Sequence, residues 1–261
     1  MTSPERFAAL SEGLAAGVRA RDGLIGLVLL GSASDEASDR RDEWSDHDFF
    51  AITSEGRGRE IRPDLSWLPD QERVVLIARE GDIGFAALYD DGHVFEFAFS
   101  DAAELSGALA GDATVVVDDD AGTTATLIAE SRARAAAADR FDPANDVRLV
   151  LVKLLIGTGR VRRGEVLNGG QFIRQWAPQL LVRAIRGRFD DASMTRRDTI
   201  DPVRRFELDH PECGRRIAEV VAQPAEDAAR DLFALTREIL EPGWADFPTA
   251  AADAVAARLG W

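Results

Sequence analysis

The sequence predicts an α+β chain, a sheet-bearing first half followed by an all-helical second half. Three observations carry that reading. Before residue 118, short apolar runs alternate with breaks rich in Gly, Asp and Pro, the punctuation of strands and tight turns. After residue 123 strand signals stop, and apolar residues recur at helical spacing. Between them lies Asp118-Asp119-Asp120-Ala121-Gly122-Thr123, a polar break that puts a domain boundary near 120. The expected domains are therefore 1–120 and 121–261.

The elements follow in order. Ser3, Pro4 and Glu5 read as an N-cap, a first-turn proline and a first-turn acid. They open a helix over 4–20 whose apolar face is Phe7, Leu10, Leu14 and Val18, closed by Asp22-Gly23. Residues 24–30 form a buried strand. Residues 33–43 are too polar for a core element and read as a short helix or loop. A second strand runs over 46–53, and 54–71 is loop, with Gly56, Gly58, Pro63 and Pro69. A third strand spans 73–79. Asp90-Asp91-Gly92 between the apolar runs 84–89 and 93–99 signals a hairpin. A short helix is expected over 102–110 and a last strand over 113–117. Helices are expected over 123–138, 146–158, 166–186, 203–221, 225–240 and 248–259.

Composition narrows the function. The 261 residues are 46% hydrophobic, enough for a real core and for two domains. With 46 acidic against 31 basic residues the net charge is −15. Such a surface repels nucleic-acid backbones and attracts cationic small molecules. No basic footprint supports template-dependent polymerase or tRNA-tail activity. The lone cysteine, Cys213, excludes an internal disulfide. No basic segment leads into an apolar one at the start, and no apolar run is long enough to span a bilayer, so a cytoplasmic location is expected. Of the 31 basic residues only Lys153 is a lysine, which marks either a place for a compact ammonium rather than a planar fork or a chance survivor on a helix surface.

Residues 24–51 hold the candidate site. The first strand ends in Gly31-Ser32, where exposed backbone N–H groups suit phosphate oxygens. Ser45-Asp46-His47-Asp48 opens the second strand. Aspartates at i and i+2 point to one face, about 7 Å apart, a spacing from which both can reach divalent metal. His47 alternates with them and points away. Same-face acids in a strand need an offsetting charge, and a metal ion supplies one. Glu96 is a third acid, on the face opposite Phe95 and Phe97. The alternative is a wet strand end and a wet edge strand. Arg160, Arg162 and Arg163 suit a helix C-terminus, and Arg204 and Arg205 a solvated helix face. Asp118–Asp120 read as a solvated linker. Trp44, Trp67, Trp176, Trp244 and Trp261 read as packing residues. His93 and His210 lack partners at ligand spacing.

Gly31-Ser32, then Asp46-His47-Asp48, then an isolated acid on a later strand resembles the polymerase-beta-type nucleotidyltransferase superfamily. The Ser-Asp-His-Asp form with an acidic, helical second half is most similar to the aminoglycoside and lincosamide nucleotidyltransferases. The motif covers about residues 24–100; the helical half resembles that group's substrate-binding domain in type and length only. The resemblance implies a nucleotidyltransferase-type mixed sheet with flanking helices, followed by a helical substrate domain. It implies that Gly31 and Ser32 hold the β- and γ-phosphates and that Asp46 and Asp48 bind two Mg²⁺. Glu96 then completes a metal site or serves as general base. Lys153 is the candidate cation for the departing pyrophosphate. The implied activity moves a nucleoside monophosphate, AMP from ATP, onto a hydroxyl of a small cationic antibiotic-like acceptor, and a homodimer is allowed. Two other readings remain open at this point. One is AMPylation of a partner protein, as in antitoxin-like relatives. The other is a nucleotide-binding regulatory module without turnover.

Overall fold

The computed structural model describes residues 4–191, 193–194 and 196–261. Ser3, the expected cap, lies outside the described residues. The chain divides into two compact units, Met1–Ala138 and Asp139–Trp261.

The first unit is one mixed sheet between helices. Helix α1 (Pro4–Ala20) leads into β1 (Leu24–Leu30). Short 3₁₀ turns over Gly31–Ala33 and Asp35–Arg40 lead to β2 (His47–Thr53). A helical turn, α2 (Gly58–Ile61), interrupts the long loop. The hairpin strands β3 (Val74–Glu80), β4 (Gly84–Tyr89) and β5 (Val94–Asp101) follow, then β6 (Ala113–Val117) and α3 (Thr123–Ala138). The six strands lie in the order β3-β4-β5-β2-β1-β6. Only β2 and β5 pair in parallel; the other ladders are antiparallel.

Alternation decides what each face does. Odd-numbered residues of β2 and β5 (Phe49, Ala51, Phe95, Phe97, Phe99) are buried with Phe7, Leu10, Leu14 and Val18 of α1 in one apolar core. The opposite face carries Val28 and Ile128 in one cluster and Ile52 and Leu127 in another, so α3 covers it. Only glycine at position 26 lets α3 approach, because a Cβ there would lie 2.0 Å from Thr124 Oγ1. Edge strand β3 is exposed along most of its length, with Val75, Leu76 and Ile77 open to solvent.

The units break at 138/139 rather than near 120. Asp118 and Asp119 are not a solvated linker but the cap of α3. Asp118 accepts from the Thr124 and Ala125 N–H groups, and Asp119 from the Thr123 N–H and hydroxyl. Acids at a helix start satisfy orphan donors and suit the macrodipole. The expected helix over 102–110 is absent. Glu104 and Asp101 each accept the other's N–H, and Glu104 is drawn to the buried Arg62 at 2.5 Å, so the segment closes as successive turns.

The second unit is helical throughout its regular structure. Its elements are α4 (Pro143–Arg162), α5 (Val166–Gln171), α6 (Ala177–Phe189), α7 (Phe206–Asp209), α8 (Pro211–Val221), α9 (Ala225–Leu240) and α10 (Thr249–Leu259). Helix α4 starts earlier than its apolar pattern because Asp142 accepts the Asn145 N–H and Pro143 fills the first turn. The helix expected over 166–186 carries a π-helical turn at Phe172–Trp176. Pro178 follows it; proline has no N–H and crowds the carbonyl four residues back, which widens the preceding turn. Pro211 likewise splits the segment expected as one helix over 203–221 into α7 and α8. Among the described residues no helix is long and apolar enough to cross a membrane.

Candidate functional site

The acids at 46, 48 and 96 meet because β2 and β5 run in parallel and in register. Asp48 pairs with Glu96, and Leu30, the last residue of β1, pairs with Asp48 on the other side. One carboxylate oxygen from each of Asp46, Asp48 and Glu96 lies within 4.8 Å of the others. Asp46 and Asp48 are half-buried and Glu96 is exposed. Gly31, just past β1, sits beside them: a Cβ built on it would be 3.7 Å from Asp48 Oδ2. Five of the expected site residues (Gly31, Ser32, Asp46, Asp48 and Glu96) are thus at one end of one sheet. Lys153 belongs to the second unit, on α4. Its ammonium lies 5.4 Å and 5.2 Å from the ring centroids of Phe172 and Trp176, on the π turn.

Asp46 and Asp48 face the site because His47 is anchored on the opposite side. Its ring stacks on Phe7 of α1 at 3.8 Å. Its Nε2 is 2.8 Å from Ser11 Oγ and its Nδ1 is 2.7 Å from His93 Nε2. One tautomer assignment serves every group. The His93 Nε2–H donates to His47 Nδ1, the His47 Nε2–H to Ser11 Oγ, and the Ser11 hydroxyl to the Phe7 carbonyl at 3.1 Å. His93 therefore has a partner that spacing along the chain did not reveal.

Burial is the main force on this pair. It pushes His47 down to about 2 from an ordinary 6.5, helped by the charges of His93 and Arg41. It also lowers His93. Both rings fold neutral, so the unfolded chain binds more protons below its ordinary histidine value. Stability is complete above about pH 6.5 and falls by about 1.4 kcal/mol per pH unit for His47 as the pH drops below that. The urea midpoint is expected to be clearly lower at about pH 5.5 than at about pH 7.5, a window in which ordinary carboxylates barely titrate. Equal midpoints would mean that the folded protein tolerates a charged His47.

Arg41 ties the glycine turn to this column. Its guanidinium lies 4.4 Å over the Phe7 ring. Its Nε donates to the Ser32 carbonyl at 2.9 Å, and its Nη2 to the carbonyls of Ala33 and Ser34 at 3.1 and 3.3 Å. Arg40 pairs with Asp112 at 2.6 Å. Sequence gave no sign that Arg41 braces the turn, since its partners are carbonyls.

The turn differs from expectation in one respect. The Gly31 N–H is not exposed; it donates to the Asp112 carbonyl at 2.9 Å. Ser34 returns both its N–H and its hydroxyl to the Gly31 carbonyl at 3.1 and 2.7 Å. Ser32, next to Gly31, is half-buried. Gly31 has φ +51°, the left-handed region. An alanine there is expected to cost about 1–2 kcal/mol of stability, with its methyl placed against Asp48. Urea unfolding of Gly31→Ala measures this, and unchanged stability would contradict the strained turn.

The donor set fits a hard divalent ion. Three carboxylates offer only oxygen, no imidazole joins the group among the described residues, and the partial exposure leaves room for water ligands, which suits Mg²⁺.

No protein-family description matches the chain, and no curated protein matches it at a significant level. Among solved structures, an aminoglycoside 6-adenyltransferase from Bacillus subtilis aligns over 100% of this chain and 93% of its own, at 13% identity and a TM-score of 0.32. A likeness that low carries no argument about activity.

Proposed function

We propose that this chain is a Mg²⁺-dependent nucleotidyltransferase that moves AMP from ATP onto a hydroxyl of a small, cationic, antibiotic-like acceptor. The observation that supports it most is the convergence of Asp46, Asp48 and Glu96 beside the Gly31 turn. The residues that resemble the polymerase-beta-type motif lie near one another at one end of one sheet, which supports this reading.

In this reading Asp46 and Asp48 hold the metal. Glu96 completes its shell or takes the proton of the acceptor hydroxyl. The acceptor oxygen bonds to the α-phosphorus as the bond to the β-phosphate oxygen breaks and pyrophosphate leaves. Bound magnesium would neutralise the triphosphate and steady the leaving oxygen. Ser32 offers its hydroxyl to the β- and γ-phosphates, and Gly31 keeps the chain close enough for that contact. Lys153 is the proposed cation for pyrophosphate. The acidity of the chain favours a cationic acceptor.

The test is mass spectrometry of aminoglycosides and lincosamides incubated with the protein, Mg²⁺ and each of the four nucleoside triphosphates. The expected result is a gain of one nucleotidyl group on an acceptor, largest with ATP and lost on chelation. No gain on any member of the panel would count against the acceptor class. Transfer that survives chelation would count against the metal.

A further inference from the structure

Of the five tryptophans, one stands apart. Trp67 is buried and packs edge-on against Phe49, Phe97 and Phe99. Trp176 meets Phe172, Trp244 meets Phe247, and Trp261 meets Phe233. Trp44 is 81% exposed, and no ring or cation contact is made by it among the described residues. It was expected to be a packing residue, and it is instead largely open to solvent.

Its backbone, by contrast, is held. The Trp44 N–H donates to Asp42 Oδ1 at 2.9 Å, and the Ser45 N–H to the Asp42 carbonyl at 3.2 Å. Ser45 Oγ accepts the Asp42 N–H at 3.0 Å. Arg41, the residue before Asp42, is clamped to the Gly31 turn. An indole fixed at its root and bare at its ring is prepared to cover an aromatic ligand.

Its place in the fold says which one. Trp44 precedes Asp46 by two residues, so their Cα atoms are within about 7 Å. Across the strands, Glu96 flanks Asp48 on one side and the Gly31 turn flanks it on the other. If the acceptor enters from the Glu96 side and pyrophosphate leaves towards Gly31, that line crosses the strands. The nucleoside is the substituent of the α-phosphorus off that line. Asp46 and, before it, the Asp42–Ser45 turn that carries Trp44 precede the start of β2.

We infer that Trp44 is the stacking platform for the nucleobase of the donor triphosphate. This rests on the nucleotidyltransferase reading and extends it to the base. Stacking on an indole needs only a π-face, so it tightens nucleotide binding without selecting strongly among bases.

The test is calorimetric titration of the full-length chain with two probes in Mg²⁺. One is a non-hydrolysable ATP analogue; the other is tripolyphosphate, which has no base. For Trp44→Ala the analogue is expected to bind about tenfold or more weaker, the usual effect of losing one stacked aromatic. Tripolyphosphate should bind within about twofold of wild type, and Trp44→Phe should restore most of the analogue's affinity, because a phenyl ring also stacks. Unchanged affinity of Trp44→Ala for the analogue would overturn the inference while leaving the metal site standing. Equal loss for both probes would also overturn it, because the phosphate turn would then be the part disturbed. If the wild-type chain binds neither probe, the nucleotidyltransferase reading itself falls.

Discussion

Asp48→Asn is expected to abolish nucleotidyl transfer while making the metal-free protein more stable. One carboxylate oxygen from each of Asp46, Asp48 and Glu96 lies within 4.8 Å of the other two. Two unit charges at 4 Å repel by about 1 kcal/mol in water and about 4 kcal/mol at the effective dielectric of a protein surface. Removing one charge relieves that repulsion, so the melting temperature without metal should rise. The same change removes a metal ligand. The wild-type chain should gain stability with Mg²⁺, about 2.7 kcal/mol at a concentration 100 times the dissociation constant, and the variant should gain much less. Several kcal/mol of transition-state stabilisation go with the ion, so activity should fall about a thousandfold or more. Thermal melts with and without Mg²⁺, together with the transfer assay, read both halves. A variant less stable than wild type without metal, yet still active, would show the carboxylates to be structural.

Arg186→Ala is expected to destabilise the helical unit by about 3–5 kcal/mol, the usual result of breaking a buried ion pair from one side. The Arg186 side chain is 0% exposed. Its Nη1 donates to Asp190 Oδ2 at 3.1 Å and to Asp209 Oδ2 at 3.0 Å, and its Nε to the Pro202 carbonyl at 2.8 Å. Its plane lies over the Phe206 ring, and Asp190 also meets His210 Nε2 at 2.6 Å. One guanidinium therefore joins α6 to the irregular stretch before α7 and to α7 itself. Truncation takes the shared guanidinium from two carboxylates that are largely buried, leaving only His210 Nε2 beside Asp190. Arg186→Lys should recover only part of the loss, because an ammonium cannot serve three acceptors in a fork. Adding Asp190→Asn and Asp209→Asn to Arg186→Met should recover more than Arg186→Met alone. Urea unfolding followed by circular dichroism measures each step. A loss under about 1 kcal/mol for Arg186→Ala would mean that water already reaches the cluster.

Much of this was legible in the residues, for reasons that can be named. Two-residue periodicity reports which face a side chain takes. It therefore placed Asp46 and Asp48 together, turned His47 away from them, and set Glu96 opposite Phe95 and Phe97. Asp91-Gly92 marked the β4–β5 hairpin because the turn needs a residue at positive φ, and Gly92 has φ +85°. What periodicity does not report is who sits on a face. Nothing along the chain links His47 to His93, which meet only because β2 and β5 pair in parallel. Helix α3 carries the helical signal expected of the second half, yet it packs on the sheet through Gly26, a contact set by the absence of a side chain. No sequence pattern singles out Arg186 or Arg41 in a chain with many arginines. Their partners are carbonyls and distant acids, which no spacing rule connects.

We propose that the carboxylates at 46, 48 and 96 form a divalent-metal centre for a nucleoside triphosphate. Titration with Mn²⁺, followed by electron paramagnetic resonance in the presence of a non-hydrolysable ATP analogue, tests it most directly. The wild-type chain should bind about two ions saturably, and Asp46→Asn and Asp48→Asn should lose or sharply weaken that binding. Binding of equal strength and number in wild type and both variants would contradict it.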